Sequence, residues 1–251
     1  MIQLKYKCLG EGENIVFILH ELMGDCRNYE ATLKYLDTKN YKYFFIDLRG
    51  YGLSKDILGE YNCKEAVNDI LNLIKLKELK KITLLGHSMS SLIVQKFAID
   101  YQEYLNKIIL VTPVLASGVK MKEEDKQKLL NDMQNDNKIE DIVEAANKRY
   151  NQTWNDYRIK LAYSSSTLEA RVNYMKMYLE EDFSNEASNI KIPVKVIVGK
   201  YDFPVFSKIV IKKAFEKWYK DLEIFEIEDA GHYPMVETPV LFASKIEEFC
   251  K

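Results

Sequence analysis

Short apolar runs rich in β-branched and aromatic residues alternate along the chain with segments whose apolar residues recur every three or four positions. The runs have the length of buried strands, and the periodic segments have the spacing of amphipathic helices. The predicted strands cover residues 15–19, 43–46, 82–85, 108–111, 194–198 and 223–227. The predicted helices cover residues 29–36, 65–74, 92–101, 209–215 and 241–249. This order predicts an α/β fold with a doubly wound, mostly parallel sheet that helices cover on both faces.

The alternation is interrupted between about Leu115 and Asn189, where the chain is polar and has helical periodicity. Candidate helices there cover residues 122–133, 139–146, 154–161 and 168–179. A connection this long is exceptional between two strands of one sheet. We therefore predict a core α/β domain built from residues 1–114 and 191–251, with an all-helical lid insertion at 115–190. Some large side chains of the insertion are candidates to line a cavity, although most are expected to pack against the core: Tyr150, Trp154, Tyr157, Tyr163, Tyr174, Met175, Met177 and Tyr178.

Composition narrows the class of protein. The chain has 251 residues, of which 47% are hydrophobic, and this is enough to bury a substantial core. The formal net charge is only -2 and basic residues are not concentrated, which argues against a nucleic-acid partner. No apolar run approaches the ~20 residues that cross a bilayer, and residues 1–7 lack the apolar region of a signal peptide. Four scattered cysteines favour a reducing compartment: Cys8, Cys26, Cys63 and Cys250. We expect a cytoplasmic protein without membrane insertion, and the sequence indicates no oligomeric state.

The sharpest chemical signal is the segment Gly86-His87-Ser88-Met89-Ser90. It follows an apolar strand and precedes a predicted helix, which is the context of a nucleophile elbow. Such a turn requires small residues two positions before and two positions after the nucleophile, and Gly86 and Ser90 meet this requirement. The pattern predicts Ser88 as the nucleophile of a serine hydrolase. The alternative is an ordinary strand-to-helix turn in which Ser88 caps the helix.

A general base and an orienting acid are predicted downstream of the elbow. His232 lies in a Gly-His-Tyr loop after the last predicted strand, and it is the one histidine of three that is placed to act as the base. Asp202 follows a strand and a glycine turn, at the carboxyl edge where open α/β sheets bind ligands. Glu228 and Asp229 are rival acids, but they are too close to His232 along the chain to reach its far ring nitrogen. The predicted set is therefore Ser88, Asp202 and His232.

Acyl transfer also requires two backbone N–H donors aimed at the developing oxyanion. Met89, the residue after the nucleophile, is predicted to supply one of them. Leu22, in the loop after an early strand, is predicted to supply the other. His20 ends that strand and is expected to hold the loop by hydrogen bonds rather than to react. These residues need no metal and no organic cofactor, so we expect neither, and the expected partner is a small-molecule substrate.

Together these segments resemble the α/β-hydrolase family, in particular small cytosolic esterases and enol-lactonases with a helical lid. The resemblance covers nearly the whole chain: residues 20–24, 47–54, 86–90 and 199–202, and Gly231-His232 followed by Glu237 and Pro239. Ser, Asp, His is the chain order of this family's triad. In the family, residues matching Asp47 and Arg49 hold a loop rather than react. The resemblance implies hydrolysis of a carboxylic ester or lactone through an acyl-enzyme.

Two positions depart from the commoner family pattern. Glu21 replaces the glycine that usually follows the first histidine, and glycine would relax the backbone beside Leu22. The Glu21 side chain either points into the pocket, where it disfavours anionic substrates, or pairs with Arg27 or Arg49, and we favour the pairing. Ser90 stands where glycine is commonest. Serine is also seen at this place in plant strigolactone and karrikin receptors and their bacterial stress-signalling relatives.

Three rival functions follow from these observations. The same triad is able to cleave a carbon–carbon bond in a β-diketone, eliminate a leaving group or act as a small peptidase. In a second class the protein is a ligand sensor with slow turnover, and in a third it is an inactive scaffold. The intact set of Ser88, Asp202 and His232 argues against the scaffold. A serine nucleophile argues against haloalkane dehalogenase and epoxide hydrolase chemistry, in which relatives attack with a carboxylate.

Overall fold

A computed structural model describes residues 2–135, 138–146 and 149–251, with a twisted sheet at the centre. The strands are β1 (Tyr6–Leu9), β2 (Asn14–Leu19), β3 (Tyr41–Ile46), β4 (Ile82–His87), β5 (Leu105–Val111), β6 (Val194–Gly199) and β7 (Leu222–Ile227). Their order in the sheet is β1-β3-β2-β4-β5-β6-β7. All neighbouring pairs are parallel except β1 and β3, which are antiparallel. The predicted doubly wound, mostly parallel α/β sheet is confirmed.

Helices cover both faces of this sheet. In the described part of the chain, the helices in chain order are α1 (Cys63–Leu76), α2 (Met89–Tyr101), α3 (Glu123–Gln134), α4 (Ile139–Ala146), α5 (Gln152–Ser165), α6 (Leu168–Glu180), α7 (Lys208–Phe215), α8 (Pro234–Glu237) and α9 (Pro239–Cys250). Side chains alternate between the two faces along each strand, so Phe17 and Leu19 join one apolar core while Val16 and Ile18 join the other. Both faces of the sheet are therefore buried, which explains the continuous apolar runs of the central strands.

One predicted helix is wrong. Residues 29–36 do not form a single α-helix. Tyr29 ends one short 3₁₀ segment, Cys26–Tyr29, and a second 3₁₀ segment, Leu33–Tyr35, follows after a turn at residues 30–32. Tertiary contacts override the helical periodicity here. The Tyr29 hydroxyl donates to the carbonyl of Leu19, and the Thr32 hydroxyl donates to the carbonyl of Met235. These two hydrogen bonds attach Tyr29 and Thr32 to the core. The N–H groups of Glu30 and Thr32 each donate to the carbonyl three residues earlier, as in a 3₁₀ turn.

Helices α3 to α6 occupy the connection between β5 and β6, where the sequence predicts an insertion. Within the described ranges this connection adds no strand to the sheet and makes one isolated bridge, between Ser166 and Tyr51. Residue 1 of the predicted core domain and residues 136–137 and 147–148 of the predicted insertion lie outside the described residues. The division of the chain at 114/115 and 190/191 stays a prediction. In the described part of the chain, no helix combines the length and apolar character needed to span a bilayer.

Candidate active site

Ser88 lies at the turn between β4 and α2, with a φ of 51° and a ψ of -115°. A non-glycine residue at positive φ is strained, and such strain is typical of a nucleophile elbow. The Ser88 N–H donates to the carbonyl of Val111 on the neighbouring strand at 2.8 Å, which helps to fix the turn. Gly86 is required because a Cβ there would lie 2.6 Å from the carbonyl oxygen of Ser90. The local backbone thus presents the Ser88 hydroxyl at the carboxyl edge of the sheet.

The structure brings the other two predicted side chains to Ser88. His232 Nε2 lies 3.0 Å from Ser88 Oγ, and His232 Nδ1 lies 2.9 and 3.0 Å from the two carboxylate oxygens of Asp202. The loops that carry Asp202 and His232 touch closely at Gly199, where a Cβ would lie 2.1 Å from the carbonyl of Gly231. The hydroxyl, imidazole and carboxylate form one continuous hydrogen-bonded chain.

The two rival acids lie away from the imidazole. The carboxylate of Glu228 pairs with Lys200 at the surface. Asp229 is exposed, and the two ring nitrogens of His232 bond to Asp202 and Ser88. Asp202 is the acid whose carboxylate contacts His232, as predicted from its position after β6.

The surroundings of His232 set its protonation. Burial by itself lowers the pKa of this imidazole, because the charged form loses hydration. The carboxylate of Asp202, with smaller contributions from Glu21 and Glu237, outweighs the burial and raises the pKa above its ordinary value of 6.5. The arrangement therefore favours an imidazole that takes up a proton readily.

Two further residues hold the loop of His232, and this role was not predicted for either of them from the sequence. The carboxylate of Glu237 accepts hydrogen bonds from the N–H groups of Gly231 and Tyr233 at 2.6 and 2.8 Å. His87 Nε2 donates to the backbone carbonyl of His232 at 2.7 Å. Burial and the adjacent His232 lower the pKa of His87 well below its ordinary value, so this ring stays neutral. The family resemblance includes Gly231-His232 followed by Glu237 and Pro239, and this segment is the sequence signal for the first of these contacts.

His20 orients the peptide group that carries the Leu22 N–H. The N–H of Leu48 donates to His20 Nε2 at 3.1 Å, so the proton of the ring lies on Nδ1. His20 Nδ1 donates to the carbonyl of Glu21 at 2.7 Å. That carbonyl and the Leu22 N–H belong to one planar peptide and point in opposite directions. Met89, the other predicted donor, is the first residue of α2, where an N–H has no acceptor within the helix.

Ser90 links the elbow to the same loop. Its hydroxyl donates to the backbone carbonyl of His20, and the side chain is completely buried. A glycine at this place would lack the contact. The departure from the commoner family residue therefore has a structural role, which joins α2 to the end of β2.

We expect Ser90→Ala to lower the free energy of unfolding by about 1–2 kcal/mol, because the buried carbonyl of His20 loses its donor. Urea unfolding followed by circular dichroism measures the change. Ser207→Ala is the matched control, since its hydroxyl also donates to a carbonyl, that of Pro204, but at an exposed site. An equal change in both variants would contradict the role of burial.

Glu21 does not pair with Arg27 or Arg49, and that prediction is wrong. Arg27 pairs with Asp25, and Arg49 pairs with Asp69. The partner of Glu21 is Arg158 on α5, with Nη2 at 3.3 Å from Glu21 Oε1. Arg158 is 137 residues away along the chain, so local sequence gives no signal of the contact. The expected loop-holding role of Asp47 agrees with its contacts, since its carboxylate accepts the N–H groups of two loop residues.

A cavity of about 130 Å³ opens beside Ser88 and His232. The predicted donor residues Leu22 and Met89 line it, together with Glu21. Its remaining walls are largely apolar: Met23, Val114, Ile142, Val143, Ala146, Met175, Tyr178, Phe203, Phe206 and Tyr233. Five of these come from α4 and α6, so the helical connection forms one side of the cavity. Of the large side chains singled out as cavity candidates, Met175 and Tyr178 lie in this wall.

One cluster of potential metal ligands lies outside the cavity, among the described residues: Asp25, Cys26 and Asp47. Its carboxylates already have partners. Asp25 holds the guanidinium of Arg27, and Asp47 accepts the N–H of Cys26 at 2.7 Å. Burial and the neighbouring carboxylates raise the pKa of the Cys26 thiol, which disfavours the thiolate that binds metals. The contacts of this cluster hold the loop after β2 together.

Known proteins of one family are similar to this chain over most of its length. The model of the family described as Serine aminopeptidase, S33 matches residues 10–239. The pimeloyl-[acyl-carrier protein] methyl ester esterase of Wigglesworthia glossinidia brevipalpis is 28% identical over 266 residues, covering 98% of this chain and 97% of that protein. The match extends over the core strands and the helical connection alike.

Solved structures are similar over nearly the whole chain. An esterase from Exiguobacterium antarcticum has a TM-score of 0.88 at 19% identity, covering 98% of this chain and 95% of that one. The enol-lactonase from Burkholderia xenovorans LB400 has a TM-score of 0.80 at 18% identity, with the same two coverages. At these identities the likeness shows the fold, and the predicted α/β-hydrolase fold is confirmed.

Proposed function

This chain belongs to the Serine aminopeptidase, S33 family, and on that premise we propose that it hydrolyses small carboxylic esters or lactones through an acyl-enzyme. The observation that carries the proposal is the hydrogen-bonded chain from Ser88 through His232 to Asp202, in which Ser88 and His232 line a largely apolar cavity. The names of the similar proteins, an esterase and an enol-lactonase among them, support the same class of reaction.

In the proposed acylation, Ser88 Oγ attacks the ester carbonyl while His232 Nε2 takes the hydroxyl proton. Asp202 holds the Nδ1 proton and stabilises the imidazolium that forms. The Leu22 and Met89 N–H groups bind the oxyanion, and each contributes about 3 kcal/mol in the transition state. His232 then returns the proton to the leaving oxygen as the alcohol departs. Water attacks the acyl-enzyme in the same way, and the acid is released.

The cavity favours uncharged acyl groups over an amino-terminal peptide substrate. Recognition of a free ammonium group needs an accessible carboxylate. Glu21 is the one carboxylate among the described residues that line the cavity, and it is already bound by Arg158 and Asn28. We therefore propose esters or lactones of neutral, apolar acids rather than small peptides.

We expect p-nitrophenyl acetate and butyrate to be hydrolysed with a kcat/KM at least about tenfold above that of the octanoate. The cavity of about 130 Å³ is smaller than the roughly 300–1,000 Å³ of most small-molecule sites, so the eight-carbon acyl chain is expected to fit it poorly. Initial rates at neutral pH measure the preference. A wild-type protein that is inert towards all three esters would contradict the proposed function.

A variant with a larger cavity tests the same preference, and a second variant of α6 serves as its matched control. Met175→Ala enlarges the cavity and is expected to raise the relative rate on the octanoate. Met177→Ala removes the same atoms from a buried residue of α6 that does not line the cavity. If both variants shift the preference equally, this cavity does not select the acyl group.

A further inference from the structure

Arg158 is completely buried, and it reaches from α5 to two loops of the core. Its Nη2 lies 3.3 Å from Glu21 Oε1, and its Nη1 donates to Asn28 Oδ1. The centre of its guanidinium lies 3.8 Å from the ring centroid of Tyr233, the residue after His232. One side chain of the helical connection thus contacts the loop of Leu22 and the loop of His232.

The carboxylate of Glu21 links Arg158 to the backbone beside Leu22. Glu21 Oε1 accepts from Asn28 Nδ2 at 2.8 Å as well as from Arg158, which leaves Oε2 to accept the N–H of Met23. The hydroxyl of Tyr51 donates to the carbonyl of Leu22 at 2.9 Å. The peptide group between Leu22 and Met23 is therefore fixed at both ends, and one end depends on Glu21.

The charge of Glu21 has a second consequence. Glu21 lines the cavity beside Ser88, where an oxyanion forms in the proposed reaction. An uncompensated carboxylate would repel that negative charge, and the repulsion is strong in a site that excludes water. Arg158 supplies the compensating positive charge without lining the cavity itself. Stability alone does not explain a buried ion pair, since apolar residues often replace such a pair without loss.

We propose that Arg158 is a positioning residue that acts through Glu21. It fixes the loop that presents the Leu22 N–H, and it cancels the charge of Glu21 next to the forming oxyanion. The inference rests on the proposed function, because it assumes a tetrahedral oxyanion at Ser88.

The test compares Arg158→Met, Glu21→Gln and the double variant. Arg158→Met is expected to lower kcat on p-nitrophenyl butyrate about 10²-fold, as for the loss of one oxyanion donor, with KM changed less than about threefold. The double variant is expected to recover at least about tenfold of that loss. Gln at position 21 removes the unpartnered charge, and its amide oxygen still accepts the N–H of Met23.

Binding of propylboronic acid separates positioning from a general structural role. Ser88 Oγ forms a bond to boron, its proton passes to His232, and a boronate hydroxyl occupies the oxyanion position. Arg158→Met should weaken this binding by about the same 10² factor as kcat. Arg49→Met is the matched control, because it breaks an ion pair with Asp69 at 2.6 Å outside the cavity. It should lower the thermal midpoint without changing the affinity for the boronate.

Each outcome decides the inference. The inference is wrong if Arg158→Met folds and keeps the kcat and the boronate affinity of the wild type. It is also wrong if Arg49→Met loses as much boronate affinity as Arg158→Met. If Arg158→Met does not fold, the double variant is compared with Glu21→Gln. Positioning predicts a boronate affinity about tenfold weaker in the double variant, and equal affinities overturn it. A wild type that hydrolyses no ester contradicts the proposed function alone, because the boronate titration still tests Arg158.

Discussion

Ser88→Ala is expected to lower kcat on p-nitrophenyl butyrate by about 10⁵- to 10⁶-fold while leaving KM within a few-fold of the wild-type value. The variant loses the atom that attacks the carbonyl, but the apolar walls of the cavity that bind the acyl group remain. Steady-state kinetics on purified protein measure the change. The residual rate reflects the oxyanion donors and substrate positioning, which act on water as the remaining nucleophile.

The control for this variant is Ser207→Ala, which removes an exposed hydroxyl between β6 and α7 and should keep wild-type kinetics. Retention of more than a tenth of the activity by Ser88→Ala would show that another group performs the reaction. Thermal unfolding of both variants verifies that each is folded, since loss of the Ser88 hydroxyl alone should leave the elbow intact.

Asp202→Asn is expected to lower kcat by about 10⁴-fold with little change in KM. Asp202 Oδ1 lies 2.9 Å from His232 Nδ1 and accepts the proton on that nitrogen, whereas an amide at this place favours the wrong tautomer of the ring. Asp229→Asn is the matched control, because Asp229 lies in the His232 loop without a side-chain contact to the imidazole. A comparable loss of kcat in both variants would contradict the proposed role of Asp202.

The same variant should change the pH dependence. His232 acts as a base only when it is neutral, and Asp202 raises its pKa above 6.5. Wild-type kcat/KM should therefore fall with decreasing pH through an acid limb above 6.5. In Asp202→Asn the imidazole loses the charge that opposes its burial, so the pKa falls and the acid limb moves to lower pH. A limb that stays in place would contradict the assigned contact.

The central strands and the Ser88, Asp202 and His232 set follow from local sequence because their signals are short-range. A parallel strand buried on both faces is a continuous apolar run, and a loop at its carboxyl end lies at the ligand-binding edge. The family match to residues 10–239 confirms the family resemblance. The catalytic roles themselves remain proposals that the variants above test.

The features that local sequence did not predict depend on contacts between distant residues. Arg158 and Glu21 are 137 residues apart, and nothing near either residue indicates the other. The 3₁₀ turn at Leu33–Tyr35 replaces a predicted helix because Thr32 donates to the carbonyl of Met235, which is 203 residues away. Helical periodicity indicates which face of a segment is buried, but it does not predict hydrogen bonds to residues that are distant along the chain.

Detection of the acyl-enzyme by peptide mass tests the proposed reaction most directly. Wild type is mixed with p-nitrophenyl butyrate, quenched in acid within the first turnovers, digested and mapped by peptide mass, with Ser88→Ala in parallel. We predict a butyryl group on the Ser88 peptide of wild type, a matching burst of p-nitrophenol and neither signal in the variant. Turnover with the butyryl group on another residue, or an unchanged burst in Ser88→Ala, would contradict the proposed reaction.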